Sequence, residues 1–436
     1  MNLRKTVYRI KGRLEEQKWY QNIFFRNVLL KEIPNDLTLQ VGYNATCNCK
    51  CKFCCLGDLS KLKKEDRELS SDIIYNQMLP LYPKVKNLVP TYAEIEASKE
   101  GYSWLSWIND KYHHINVFIE SNGIGFTKKW QELAVANLMH VKFSLNAHDD
   151  SSFNRTVWDN KSNPELFSNT IMKNIDGYVD LLKEKSLYPA FAPSCSCVLN
   201  ESNYSDVILF VENGLKHGIN GFTFFFDTIS TNIYSAGEEE ADLAVQNAVK
   251  HIIELKRVLK GHAGISFQLY LPNMNMADIN EKIYSMPLDT LNRKYSHLIE
   301  LAKQFNTEEQ IQSKINLLSK NRKHVLSYEE IIHGPTYHQS KVNGKLVCFN
   351  PWSHINVICI ERKFNVCTWK GYGPRHDLDH FIDKKGKVDW LGIMNSRYFL
   401  LPRREFLHND YSYCLKNCPG NPNCFDYFGK DNKRQD

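Results

Sequence analysis

No stretch of about eighteen apolar residues occurs anywhere in the 436-residue chain, so no membrane-spanning helix is expected. No signal peptide is expected either. Met1-Asn-Leu-Arg-Lys runs into the mixed-charge Ile10-Lys-Gly-Arg-Leu-Glu-Glu-Gln-Lys without an apolar core. Charge of one sign is scarce: 55 Lys and Arg against 49 Asp and Glu leave a net +6, with none of the concentrated basic character of a nucleic-acid binder. A hydrophobic content of 42% with 12% aromatics excludes a disordered chain. The thirteen cysteines are an odd number in a long chain, not the even, dense framework of a small secreted scaffold. Metal ligation in a reducing, cytoplasmic setting is the better expectation.

What is present is Cys47-Asn-Cys-Lys-Cys51-Lys-Phe-Cys54-Cys55, five cysteines in nine residues, directly after the apolar run at 37–42. Inside it sits Cys47-x3-Cys51-x2-Cys54, with Phe53 before the third cysteine. A zinc site usually pairs two C-x2-C knuckles at a distance, so an offset triplet on one loop suits zinc less well. Lys50 and Lys52 are expected to favour thiolate over thiol. Cys49 and Cys55 fit no position of the triplet and are read as bystanders.

The spacing and the aromatic residue resemble the signature loop of the radical S-adenosylmethionine (SAM) enzymes. That resemblance implies a [4Fe–4S] cluster on Cys47, Cys51 and Cys54. Thiolates are the usual cluster ligands, and three of them leave one iron open to SAM.

Read in order, residues 1–36 predict a polar helical lead-in ended by Pro34-Asn35-Asp36. Apolar runs at 37–41, 85–89, 115–119, 141–145, 188–192, 222–226 and 265–271 predict strands. Stretches at 72–81, 128–138 and 206–217 carry apolar residues at helical spacing between them. Alternating strands and helices predict an α/β fold over 37–275, a partial (β/α)6 TIM-like barrel whose chemistry gathers at the carboxyl ends of the strands. The cysteine loop follows the first strand. Residues 276–344 carry Leu298, Leu301, Ile311, Ile315 and Leu318 at helical spacing and predict a helical connector without strands.

From 345 the texture changes. Cys348-Phe-Asn-Pro-Trp352 leads into a strand-like run at 354–360, a turn-like 361–365, and Val366-Cys367. Cys414-x3-Cys418 and Cys424 follow. Cysteines flanking a hairpin and a later close pair can converge on one cluster, and zinc would use similar geometry. Together with Trp390, Asn395-Ser396 and Arg404, the 345–436 region resembles a SPASM or twitch auxiliary-cluster domain. The resemblance implies a second [4Fe–4S] cluster on Cys348, Cys367, Cys414 and Cys418. The three residues inside the last pair, where the family more often has two, leave Cys424 as a substitute. Cys359 is read as a packed thiol.

Subtler matches lie in the barrel region. Thr91-Tyr92-Ala93-Glu94 lacks the glycines of the family's turn after strand two, and Glu94, with Glu96 as the second choice, is the matching carboxylate. Ser121-Asn122-Gly123 resembles the family's strand-three ending. Phe143-Ser144-Leu145-Asn146 with Arg155 resembles a pattern in which the serine and arginine contact SAM, the arginine fork suiting a carboxylate. Cys195 and Cys197 are read as core thiols or substrate-facing groups, and Asp227 as a substrate contact or helix cap.

The resemblance implies reductive cleavage of SAM to a 5′-deoxyadenosyl radical that abstracts hydrogen from an unactivated carbon. The expected substrate is a small sugar- or aminocyclitol-like metabolite. A peptide or protein substrate is the first alternative, and a non-enzymatic zinc protein the second. An electron donor such as flavodoxin or ferredoxin is the implied partner, with neither nucleic acid nor membrane.

Overall fold

Short apolar runs flanked by turn residues become strands, and the longer amphipathic stretches between them become helices. The computed structural model describes residues 29–42, 45–54, 72–91, 93–226, 238–268, 285–321, 339–342, 345–348, 353–358, 363–366 and 376–407. In chain order the first half contains β1 (Leu37–Gly42), β2 (Val85–Thr91), α1 (Gly101–Lys111), β3 (Asn116–Ser121), α2 (Lys128–Ala136), β4 (His140–Ser144), α3 (Asp150–Thr156), α4 (Lys173–Glu184) and β5 (Ser194–Leu199). Next come α5 (Val207–Lys216), β6 (Gly221–Phe226), α6 (Glu238–Val258), β7 (Gly264–Gln268), α7 (Leu288–Lys294), α8 (Ser296–Ala302) and α9 (Thr307–Asn321). The remainder is β8 (Gln339–Val342), β9 (Lys345–Cys348), β10 (His354–Ile358), β11 (Lys363–Asn365), β12 (His376–Asp377), α10 (Trp390–Met394) and α11 (Arg397–Leu407). The fold is α/β: strands β1–β7 belong to parallel sheet, and the C-terminal part is antiparallel. Among the described residues no helix is long and apolar enough to cross a membrane.

The chain forms two compact units, one drawn from Met1–Thr46, Leu59–Phe118 and Asn321–Asp426, the other from Cys47–Asp58, Ile119–Lys320 and Tyr427–Asp436. In the first, β1 runs parallel to β2 on one side and to β10 on the other. All six residues of β1 are buried, which fits an interior strand. The stretch expected to open a C-terminal domain thus contributes β10, in register from Thr38↔His354 to Gly42↔Ile358. Two motif residues of that region are anchors. Buried Trp390 donates its indole N–H to the Gln77 carbonyl at 2.8 Å. Asn395 exchanges two hydrogen bonds with the Leu30 backbone, at 2.7 and 2.8 Å.

In the second unit β4, β5, β6 and β7 are consecutive parallel neighbours. Phe126, Phe143 and Tyr178 pack edge to face in its core, and Phe210 packs on Phe222 and Phe224. Burying the large rings of Phe222 and Phe224 in β6 explains how so aromatic a strand is kept out of water.

Several expectations are corrected. The run at 188–192 is a turn rather than a strand: Pro189 has no N–H for a ladder, and the strand lies at Ser194–Leu199 instead. The 72–81 stretch holds only a short π-helical turn, Ile73–Gln77, before Pro83 enforces a 3-10 turn at Tyr82–Lys84. Gln339–Val342, inside the expected strandless connector, pairs with β9 as a hairpin, and its polar sequence carries no alternating signal. Lys363–Asn365, read as part of a turn, is strand β11 against β10. Of the expected lead-in helix, residues 1–28 lie outside the described residues and 29–36 are non-helical.

A buried ionic cluster ties α6 to α7 and α8. The Glu254 side chain is wholly buried; Lys294 Nζ reaches its Oε2 at 2.6 Å, and the Tyr295 hydroxyl donates to the same oxygen. Burial alone would raise this carboxyl, but bonds from His251, Lys294 and Tyr295 hold it at about 2. A native value below the unfolded one means that the contribution is complete above about pH 4.3 and fades as pH falls toward 2. Glu254→Gln is therefore expected to cost about 3 kcal/mol at neutral pH. Urea unfolding at pH 7 and pH 3 checks this: the deficit must shrink at the lower pH.

Candidate functional site

The cysteine loop is irregular, with a turn at its tip. The Cys54 N–H donates to the Cys51 carbonyl at 3.2 Å, so the C-x2-C pair closes a turn of the kind that keeps its end Cα atoms within about 7 Å. The loop is docked on the segment after β4. The Lys52 N–H donates to the Val157 carbonyl at 2.9 Å, and Lys52 Nζ donates to the carbonyls of Asn154 and Arg155 at 3.0 and 2.6 Å. The Asn154 and Arg155 carbonyls belong to the last turn of α3, where the helix dipole favours a cation. Lys52 is thus a helix cap.

For Lys52 this geometry differs from the expected place beside the thiols. Although Cys47 is exposed to solvent, partial desolvation by the surrounding loop pushes its thiol up, neighbouring Cys51 and Cys54 add to the rise, and the Cys49 N–H and the Asn122 amide oppose it. The hydrogen bond to Cys49, then burial, raises the Cys51 thiol. Among the described residues no lysine contributes to either shift. Cys47 and Cys54 are exposed, Cys49 and Cys51 half-buried, and Phe53 half-buried between them.

The end of β3 meets the loop. Asn122 Nδ2 donates to Asn48 Oδ1 at 2.7 Å and lies 3.8 Å from Cys47 Sγ, while its Oδ1 accepts from the Ile124 N–H at 2.9 Å. Ser121 Oγ accepts from the Gly123 N–H at 3.0 Å. Gly123 has φ of +80°, and a Cβ there would meet Ile171 Cγ2 at 2.8 Å, so the turn that aims Asn122 requires glycine. The Ser121-Asn122-Gly123 sequence therefore brings one predicted contact residue onto one predicted ligand.

At the end of β4, Ser144 is engaged by Asn146, whose Nδ2 donates to the Ser144 carbonyl and Oγ at 3.1 and 3.3 Å. Asn146 has φ of 60°, a left-handed conformation that asparagine tolerates, and its Oδ1 accepts from the Val198 N–H at 2.7 Å. It pins β4 to β5. Arg155 Nη2 donates to Asp206 Oδ2 at 2.6 Å and its Nε to the Ser202 carbonyl at 3.0 Å. Cys195 and Cys197 lie within β5, fully buried, and burial raises both thiols. They are core thiols. Glu94 is buried in the first unit and its N–H donates to the Thr46 carbonyl at 3.1 Å, at the entry to the cysteine loop. Glu96 sits in the adjoining 3-10 turn Ile95–Ala97.

Among the described residues no three Cys, His, Asp or Glu side chains converge on one metal position, and Cys51 Sγ is turned toward Cys49 Sγ at 3.5 Å. The donor set nevertheless fits an iron–sulfur cluster: thiols at 47, 49, 51 and 54 on one loop, a turn joining Cys51 and Cys54, and an amide beside Cys47. Cys348 closes β9. Cys55, Asp227, Cys359, Cys367, Cys414, Cys418 and Cys424 lie outside the described residues. The contacts of Lys52 and Asp206 were not signalled by any motif, whereas Asn146 stood in the Phe143–Asn146 motif and its tolerance of a left-handed φ was a local clue.

No family model and no curated protein matches the chain. Among solved structures it is similar to Streptococcus suis SuiB bound to precursor peptide SuiA, with 12% identity, coverage of 93% of this chain and 73% of that one, and a TM-score of 0.49. SuiB bound to S-adenosylmethionine gives 12% identity, 86% and 68% coverage, and a TM-score of 0.46. Native anSMEcpe with bound AdoMet gives 12%, 86% and 84%, and 0.46. At these identities and scores the likeness assigns no residue a role.

Proposed function

We propose that this protein is a radical SAM enzyme, with Cys47, Cys51 and Cys54 holding a [4Fe–4S] cluster whose open iron takes SAM. The supporting observation is the cysteine triplet on a loop that Lys52 docks to α3 and that Asn122, at the carboxyl end of β3, meets at Cys47. When bound, the cluster supplies one electron to SAM, giving methionine and a 5′-deoxyadenosyl radical that takes a hydrogen atom from a substrate carbon.

The chain's residues have the positioning tasks. Lys52 and Asn122 fix the loop. Phe53, Glu94, Ser121 and Ser144 are proposed around SAM, and Arg155 as the partner of its carboxylate. Cys348, Cys367, Cys414 and Cys418, with Cys424 as substitute, are proposed to hold a second [4Fe–4S] cluster. A flavodoxin- or ferredoxin-like donor would deliver the electron.

The substrate class to test first is a peptide or protein side chain, ahead of the small metabolite expected from the sequence. SuiB has been solved with its precursor peptide and anSMEcpe with a Cp18Cys peptide, which is a property of those proteins and sets only the order of testing.

Anaerobic reconstitution followed by reduction with dithionite in the presence of SAM tests the reading. A brown protein that releases 5′-deoxyadenosine supports it. A colourless protein carrying zinc sinks it and favours the zinc alternative. A finer expectation concerns Arg155→Ala, which should weaken SAM binding with iron content unchanged. Loss of one charge-assisted contact costs about 1.5–3 kcal/mol, roughly ten- to a hundredfold in affinity. Calorimetric titration with SAM checks it.

A further inference from the structure

Asp206 ends the 3-10 turn Tyr204–Asp206 ahead of α5, and no motif marks it. Its side chain is 14% exposed, and both carboxylate oxygens are taken. Arg155 Nη2 donates to Oδ2 at 2.6 Å, and Ser205 Oγ donates to Oδ1 at 3.0 Å. His148 Nδ1 lies 3.6 Å from the same Oδ2, with its Nε2 3.5 Å from Asp149 Oδ2. The Ser202 carbonyl accepts from Arg155 Nε at 3.0 Å. Two of the three guanidinium nitrogens are therefore fixed by the loop after β5. Nη1 makes no hydrogen bond to the described residues, and the Arg155 side chain is 47% exposed.

An ion pair this exposed contributes little to folding. Its geometric effect is larger, because a planar fork held at two nitrogens has little freedom left to lose when the third meets an anion. We propose that Asp206 is a positioning residue: it holds the Arg155 guanidinium, with the Ser202 carbonyl, so that Nη1 is left for the carboxylate of SAM. The inference rests on the radical SAM reading and assigns Asp206 a part in it.

The opposite role is physically available. A carboxylate bound to Arg155 also cancels its charge, so Asp206 would then compete with SAM and its removal would tighten binding. A double-mutant cycle on the anaerobically reconstituted protein decides, with SAM affinity measured by calorimetry and iron content and circular dichroism recorded for each variant. Asp206→Asn is expected to weaken SAM about tenfold in the natural background and less than about twofold further in the Arg155→Ala background. Ser205→Ala, which frees Oδ1 at an exposed position, is the second variant should Asp206→Asn not fold. It should weaken SAM about two- to threefold, again only while Arg155 is present. Equal losses in both backgrounds, or tighter binding in Asp206→Asn, overturn the inference. Unchanged affinity in Arg155→Ala alone overturns it and leaves SAM binding intact. A natural protein that loads iron and does not bind SAM overturns the inference and the radical SAM reading together, before any variant is made.

Discussion

Alanine at Cys47, Cys51 or Cys54 is expected to abolish SAM cleavage, a loss of more than about a hundredfold, the upper end of what even a supporting group around a metal costs when removed. Cys49→Ala is expected to keep most of the activity. The contrast is sharp because Cys49 is not remote: its thiol lies 3.5 Å from Cys51 Sγ, and its N–H reaches Cys47 Sγ at 3.4 Å. Spacing, not proximity, separates the two sets. Cys51 and Cys54 are joined by the 3.2 Å turn bond, and Cys47 has Asn122 beside it, whereas Cys49 has neither support. The measurement is 5′-deoxyadenosine release per iron after reconstitution. Cys49→Ala as damaging as Cys51→Ala would mean that the ligand triplet is drawn from a different set of thiols.

How far the sequence could be read follows from which interactions are local. Strand β1 was legible because Leu37, Leu39 and Val41 recur at the strand period, and the loop after it because its cysteines are consecutive. Strand β5 was misplaced. Ser-Cys-Ser-Cys-Val-Leu opens on small residues with serine at every second position, and the run before it, with its larger side chains, is a proline turn. Parallel pairing of β10 with β1 leaves no trace in either segment, since its specification is the shared burial of Ile355 and Val357 with Leu39 and Val41. Lys52 illustrates a different failure. A lysine among cysteines reads as a pKa device, but the carbonyl ends of α3 compete for it, and they win because they offer two acceptors at bonding distance. Arg155 was picked out for its fork, while Asp206 read only as the start of a helix. Its meaning depends on a contact across 51 positions.

The proposed second cluster leads to the other large expected effect. In the proposal, a cluster held by Cys47, Cys51 and Cys54 would keep one iron open, whereas Cys348, Cys367, Cys414 and Cys418 would fill every corner of a second cluster and leave it unable to bind SAM. Reconstituted protein should then carry about eight irons per chain, falling to about four when Cys348 and Cys367 are both replaced by alanine. That variant should still cleave SAM slowly under a strong reductant and fail to turn over its substrate. Cys348 closes β9, which pairs with β8 and packs against α11, so loss of a metal there also threatens local folding. Circular dichroism must accompany the assay, and the test counts only where the helical signal is retained. The buried Trp390 and the Asn395 bonds to Leu30 hold α10 to segments far earlier in the chain and give the region support independent of any cluster. About four irons in the natural protein, with zinc or nothing on the C-terminal cysteines, would remove the second cluster from the proposal and leave the proposed role of the 47–54 loop untouched.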